Sequence, residues 1–412
     1  MRTDAELAAQ VMQRIDALAE ISEVPGGLTR TYGSPSMHRA NEAVSGWMRE
    51  AGMTTRVDAI GNLCGRYEGA KGATQTFLLG SHLDTVRDAG RFDGALGVIT
   101  AIACVQCFAE NGRRLPFAIE ILAFADEEGV RFHSTYLGSR ALCGVIGEAD
   151  LQRTDRDGVC LEEAIRKFGG DPAALKTCRR DPSELLGYAE VHIEQGPVLQ
   201  DQQRALGVVW AIAGQTRLEA SFAGRAAHAG TTPMGLREDA LVAAARFIRD
   251  AQLIARQHPG LVVTVGQIEA HPGASNVIPG FVKLSVDVRH PEDAVRCDAC
   301  ELLAVTAAFG AAHERVELGW NIIQATRSIT CSPELTALLT ESIGEGKATI
   351  SLCSGAGHDA ATLAAITPVV MLFVRCKDGI SHHCDESVHE SDVEAAIRVM
   401  GDFLQRVAQR HA

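Results

Sequence analysis

The sequence predicts an α/β fold, a mostly parallel sheet with helices on both faces, interrupted by an inserted α+β sandwich. Three observations predict it. Apolar strand-like runs alternate with helical patterns from the start of the chain to about residue 213, the signature of βαβ units. From there to about residue 330 the pattern is strand, strand, helix, strand, strand, helix, strand, which reads as a four-stranded antiparallel sheet with helices on one face. After Ser332 the first alternation returns. The chain thus leaves one domain and comes back to it: residues 1–213 and 331–412 form the first domain and 214–330 the insert. A length of 412 residues also exceeds one ordinary core.

The elements follow in order. Helical patterns cover Ala5–Ile21 and Ser36–Ala51, separated by a Gly/Pro/Ser-rich loop. Thr54–Ala59 and Leu63–Tyr67 are short β-like runs, and Phe77–Leu79 is a buried strand. A helix starts at Gly94 and runs to about Glu110, and Phe117–Ala125 is a strongly apolar strand. The run from Tyr188 is a strand that meets the breaker Gly196-Pro197. In the insert, Thr216–Ala223, Leu261–Ala270, Phe281–Arg289 and His313–Gly319 read as strands, and Arg237–Gln257 and Glu292–Phe309 as helices. Pro333–Ile343, Pro368–Val374 and Ser391–Arg410 read as helix, strand, helix. The exposed edge of the inserted sheet is a natural pairing surface, so a homodimer is expected.

Composition narrows the function. Hydrophobic residues are 46% and charged residues 22%, as in ordinary globular proteins. A net charge of −13 argues against nucleic acid or an anionic membrane as partner. No apolar run reaches the length of a membrane span. The N-terminus Met-Arg-Thr-Asp-Ala-Glu-Leu has no signal-peptide core, and a cytoplasmic location is expected. The 12 cysteines then read as free thiols, with the CxxC pairs Cys104/Cys107 and Cys297/Cys300 each sharing a helix face.

Four stretches carry the chemistry. Gly80-Ser-His82-Leu-Asp84-Thr-Val, continued to Gly90-Arg-Phe-Asp93-Gly-Ala, places one imidazole and two carboxylates at a strand end and in the loop after it. In open α/β sheets that is where sites are built. Asp126-Glu127-Glu128 puts three adjacent carboxylates after another strand, an arrangement that a cation or a shared proton relieves. Consecutive residues cannot both point the same way, so one of Glu127 and Glu128 suits a metal and the other a proton. His192 stands near the end of a third strand, and His382 and His383 follow a fourth. Together His82, Asp93, Glu128, His192 and one of His382 or His383 can serve two metal ions if one carboxylate bridges. A thiol hydrolase using Cys353 or Cys384 would need a low-pKa cysteine instead. A binding protein on a retired scaffold would have no need of Glu127.

This constellation resembles the M20 metallopeptidase superfamily of two-metal amidohydrolases, over nearly the whole chain. The runs Gly90-Arg-Phe-Asp-Gly-Ala-Leu-Gly-Val, Glu127-Glu128-Gly-Val-Arg-Phe, His192-Ile-Glu-Gln-Gly-Pro, Gly230-Thr-Thr-Pro-Met, Asn276-Val-Ile-Pro and Gly379-Ile-Ser-His look like its hydantoinase/carbamoylase branch. The resemblance implies a zinc-peptidase-like sheet with a lid or dimerisation insert. It implies two divalent ions per subunit (Zn, Mn, Co or Ni) on His82, Asp93, Glu128, His192 and His382, with Asp93 bridging. It implies Glu127 as general base, and Asp84 as the carboxylate behind His82. His228 would reach the partner subunit's site and stabilise an oxyanion. Asn276 and Arg289 match substrate-binding positions, Arg289 gripping a carboxylate, and Gln195 and His358 are further pocket residues. The terminal motif departs from the family, which commonly has a non-His residue at 383 and Pro at 384, where this chain has His383 and Cys384. The implied reaction is hydrolysis of the ureido C–N bond of an N-carbamoyl-L-amino acid or allantoate, releasing ammonia and carbon dioxide. The alternative is a dipeptidase or N-acyl-amino-acid deacylase with the same metal site.

Overall fold

A computed structural model describes residues 2–344 and 349–411. It divides into two compact units, one running to Trp210 and resuming at Cys331, the other Ala211–Thr330. The strands are β1 (Thr54–Val57), β2 (Leu63–Tyr67), β3 (Thr76–His82), β4 (Ala118–Phe124), β5 (Leu185–Ile193) and β6 (Leu206–Ile212). The second unit adds β7 (Gly214–Ala223), β8 (Ala227–His228), β9 (Val262–His271), β10 (Val277–Ile278), β11 (Phe281–His290), β12 (Glu317–Thr326) and β13 (Ile329–Thr330). The returning chain supplies β14 (Ile350–Ser354) and β15 (Val369–Val374).

In the first unit the sheet order is β1-β2-β4-β3-β5-β15-β6, with β14 also on β6. Its centre, β4-β3-β5-β15, is parallel, and the flanking pairs β1/β2, β2/β4 and β15/β6 are antiparallel. The sheet is therefore mixed, parallel at its centre and antiparallel toward its edges, with β1 and β2 joined by a short turn. The β1–β2 turn shows how: the Asp58 carboxylate accepts the backbone N–H of Ile60, Gly61 and Asn62. Every residue of β3, β4 and β15 is buried, as expected of strands covered on both faces. Helices Asp4–Ala19, Ala95–Glu110 and Glu390–Arg410 pack into the same core. From β3 the chain goes to β4 on one side and to β5 on the other. The sheet thus has a topological switch point between β3 and β5, with their carboxyl ends at one edge.

The second unit is an antiparallel sheet, β12-β7-β11-β9. Alternate residues of β7 and β11 (Leu218, Ala220, Phe222; Val282, Leu284, Val286, Val288) share a core with Phe247, Ala251, Leu303 and Ala307 of helices Ala240–Gln257 and Asp293–Glu314. One expectation is corrected here. His313 and Glu314 close the second helix, and the last strand begins at Glu317 rather than His313. Leu303, Ala307 and Ala311 recur every four residues on one buried face, so packing holds the helix beyond Phe309. Arg315, at φ 56°, ends it. Among the described residues no helix is long and apolar enough to cross a membrane.

Candidate metal centre

His82 is the last residue of β3, and the loop after it returns Asp93 beneath its ring. The return is tight. Gly94 has φ +65°, and a Cβ there would lie 2.5 Å from the His82 ring, so both conformation and space demand glycine. Asp93 is buried among three imidazoles. Its Oδ1 lies 3.1 Å from His192 Nε2 and 3.5 Å from His82 Nε2, and its Oδ2 lies 3.1 Å from His382 Nε2. Glu128 Oε1 is 3.6 Å from the same His382 nitrogen, and Glu127 Oε2 is 4.0 Å from His82 Nε2. His82 Nδ1 faces the Asp84 carbonyl oxygen at 3.0 Å, and His192 Nδ1 faces the Ile193 carbonyl oxygen at 2.9 Å. In each ring, then, a backbone acceptor takes the Nδ1 proton, so Nε2 is the nitrogen that faces Asp93, donating to it when protonated and offering a lone pair to a metal when that proton is lost.

Asp84 also aims the two glutamates. Its Oδ1 accepts the N–H of Glu127 and its Oδ2 that of Glu128, both at 3.1 Å. Asp126, at φ 52°, makes the turn that presents these two N–H groups. The doubled contact fixes consecutive residues whose carboxylates both reach the cluster, Glu127 beside His82 and Glu128 beside His382, with His82, Glu127 and Glu128 themselves close enough to share an ion.

The loop Ile380–Glu386 completes the cluster. His382 turns inward at φ 57°. His383 turns away: its Nδ1 accepts the Asp385 N–H at 3.2 Å and its side chain is 59% exposed. Gln195, also at positive φ, donates to Asp93 Oδ2 at 2.9 Å and to Ser381 Oγ at 3.1 Å. Its amide is thus engaged with the cluster itself. His358 is buried, with its Nε2 2.8 Å from Ser354 Oγ and its ring edge-on to His192.

The electrostatics are those of a site built for cations. Burial, then the charges of Glu128, Asp359 and Asp84, push Glu127 well above the usual carboxylate range, against the pull of His82. Burial and Asp93 push Glu128 up to about 7. Burial disfavours charge on His82, yet Glu127, Asp93 and Asp84 outweigh it and hold the imidazole well above its ordinary value. Asp93 resists its own burial through the three imidazoles and stays well below the usual range. Asp84, Asp93, Glu127 and Glu128 crowd against three imidazoles, and it is this crowding of carboxylates that raises Glu127 and Glu128 and that divalent ions would relieve. The donor set fits two of them: His82, His192 and Asp93 on one side, and His382, Glu128 and Asp93 on the other. By contrast, burial pushes the Cys353 thiol up to about 11, which removes the thiolate that a cysteine mechanism there would need.

A pH dependence follows from these directions. Glu128 in the folded chain keeps its proton between about 4.5 and about 7, where the unfolded chain has lost it. Stability therefore falls as pH rises through that window, and the raised imidazoles of His82, His192 and His382 extend the fall upward. Asp93, held low, acts only below its ordinary range. The metal-stripped protein is expected to melt at a lower temperature at about pH 8 than at about pH 5.5, and manganese loading to reverse the order, as calorimetry would show.

In the second unit His228 and Asn276 are neighbours. His228 pairs with Val277 in the β8/β10 ladder, and the Asn276 carbonyl accepts the Ala229 N–H. Arg289 is elsewhere: it lies opposite Gln215 near the other end of β11, its guanidinium bidentate on Asp287 at 2.7 and 3.0 Å.

Sequence reasoning did not single out Ser381, Glu190 or Glu386. Glu190 accepts Ser81 Oγ–H at 2.9 Å and the Ala360 N–H at 3.2 Å, tying β3, β5 and the helix Asp359–Leu363 together. The available signal was a Glu two residues before His192 in a strand with no exposed face.

Two buried imidazoles, a third that is half exposed, and carboxylates gathered around one shared aspartate at the carboxyl edge of this sheet define a metal-dependent hydrolase scaffold. The model of peptidase family M20/M25/M40 matches residues 78–406. The chain belongs to that family and to its hydantoinase/carbamoylase branch. It is similar to a structure of an amidase of the hydantoinase/carbamoylase family from Burkholderia multivorans, at 33% identity and TM-score 0.91 over 97% of this chain and 98% of that one. It is 40% identical to a probable allantoate deiminase of Oryza sativa subsp. japonica, over 98% of this chain and 89% of the relative. It is 38% identical to an N-carbamoyl-L-amino acid amidohydrolase of Geobacillus stearothermophilus, over 97% and 98% of the two.

Proposed function

We propose that the protein hydrolyses the ureido C–N bond of a small carboxylate-bearing substrate, an N-carbamoyl-L-amino acid or allantoate, to ammonia and carbon dioxide. The observation that carries this reading is Asp93, each of whose oxygens faces its own imidazoles, with Glu127 alongside. His82, His192 and Asp93 would hold one divalent ion, and His382, Glu128 and Asp93 the other. The chemistry such ions supply is Lewis acidity toward water and toward the ureido carbonyl. Glu127 accepts the proton of the attacking water and returns it to the leaving nitrogen. His228 Nδ1 accepts the N–H of Gly230 and Thr231 at 3.0 and 3.2 Å, so its proton sits on Nε2, ready to donate to a developing oxyanion. Arg289, held in orientation by Asp287, grips the substrate carboxylate, and Asn276 and Gln195 hydrogen-bond its polar groups. His358, whose ring packs edge-on to His192, would be a further pocket residue.

We further propose a homodimer through the inserted unit. Phe281 and Arg289 are eight strand residues apart, about 26 Å, and His228 and Asn276 lie beyond the Phe281 end. One small substrate cannot reach both ends of one copy, so Arg289 and the His228/Asn276 pair would come from two. The edge strands β9 and β12 carry the exposed side chains Ile268, Ile322 and Ile323. The first domain of 1–213 and 331–412 would hold the metals, and 214–330 would be the lid. Free thiols at all 12 cysteines support a cytoplasmic location.

Ammonia release tests the reaction. Metal-stripped protein reloaded with Mn, Zn or Co should release ammonia from allantoate or from one of a panel of N-carbamoyl-L-amino acids, and none without metal. Hydrolysis of dipeptides or N-acyl amino acids instead, without ammonia from any ureido acid, would replace this reading with the peptidase alternative.

A further inference from the structure

The Asp93 carboxylate needs a backbone held still; the Phe92 and Asp93 carbonyls accept the N–H of Leu96 and Ala95, and a distant side chain takes their own N–H groups. Glu386 is 2% exposed. Its Oε1 accepts the N–H of Phe92 at 2.7 Å and of Asp93 at 3.0 Å, across 293 residues of sequence in the second case. Its Oε2 lies 3.2 Å from Ser381 Oγ, which is also 3.1 Å from Asp93 Oδ2. The Glu386 N–H donates to the His383 carbonyl at 3.0 Å, closing the turn that carries His382. Room for this side chain is made at Gly90, where a Cβ would lie 2.2 Å from the Glu386 carboxyl carbon. One carboxylate therefore ties the loop of the shared aspartate to the loop of the last imidazole.

We infer that Glu386 is a positioning residue for the metal centre, acting through Asp93 and His382 by accepting two backbone N–H groups and anchoring Ser381. The inference rests on the reading of Asp93 and His382 as ligands. It differs from a plain packing role in what it predicts: metal affinity should depend on Glu386 even where stability does not.

The test is calorimetric titration of the metal-stripped full chain with Mn²⁺, beside its melting temperature without metal. Glu386→Ala should weaken Mn²⁺ binding by about 10–100-fold, the usual cost of losing a group that orients a ligand. Glu386→Gln, whose amide oxygen still accepts both N–H groups, should bind near the wild-type level. Asp93→Asn is the control on the underlying reading and should lose binding. If Asp93→Asn binds as wild type, the metal reading fails. If it loses binding while Glu386→Ala keeps wild-type affinity, the inference about Glu386 is overturned. Equal losses in Glu386→Ala and Glu386→Gln would also overturn it, because hydrogen-bond acceptance would not be the role. Should Glu386→Ala fail to fold, Gly90→Ala takes its place: its methyl displaces the Glu386 carboxyl, and unchanged Mn²⁺ affinity there would overturn the proposal.

Discussion

Glu127→Gln is expected to lower kcat by about 10²–10⁴-fold with the metal content of the protein unchanged. Glu127 stands beside the cluster that gathers around Asp93, its Oε2 4.0 Å from His82 Nε2. The amide is isosteric, and the Glu127 N–H to Asp84 is a backbone bond that the change leaves in place. What is lost is the oxygen that accepts a proton. Steady-state kinetics on the ureido substrate, with metal content by mass spectrometry, checks both halves. A variant that keeps more than about a tenth of wild-type turnover would remove Glu127 from the base role.

His228→Ala is expected to cost about 10²–10³-fold in kcat, the scale for a missing oxyanion donor, and the loss should be repairable in trans. His228 is exposed and its Nδ1 is committed to Gly230 and Thr231, so the alanine variant has no buried contact to disturb. Mixing His228→Ala with Glu127→Gln subunits makes hybrids in which one site has the base from one chain and the imidazole from the other. Random assortment makes half the dimers hybrid, each with one intact site, so about one quarter of wild-type activity should return. No recovery after demonstrated subunit exchange would place His228 within its own copy's site or outside the chemistry.

Much of the cluster was legible because ligand-type residues at parallel-strand ends leave a local pattern. His82, Asp93, the Glu127-Glu128 pair and His192 each follow an apolar run, and the sheet's geometry gathers such ends at one edge. The choice between His382 and His383 was not local: it turns on one φ of 57° and on the Asp385 N–H that holds His383 outward. Ser381, Glu190 and Glu386 escaped for a related reason. Their roles are hydrogen bonds to backbone groups of distant segments, and a backbone acceptor has no sequence signature. The boundary at His313 was missed because alternation of apolar residues over a few positions does not distinguish a helix end from a strand start. The sheet is parallel at its centre as expected; its antiparallel flanks leave no local signal, because strand direction is set by pairing between segments as far apart in sequence as β6 and β15.

The order in which a ribosome makes the chain gives the clamp on Asp93 another meaning. His82, Asp93 and His192 emerge early, but β15, the strand that covers the open side of β5, comes only at Val369–Val374, and Glu386 later still. After it only the helix Glu390–Arg410 remains to be packed. Until then β5 is an unpaired edge carrying Glu190 and His192, the kind of edge that recruits other chains. A nascent or prematurely ended chain therefore lacks both the second half of the cluster and the bracket on the first. Filling of the His382–Glu128–Asp93 group would then be a late event of synthesis.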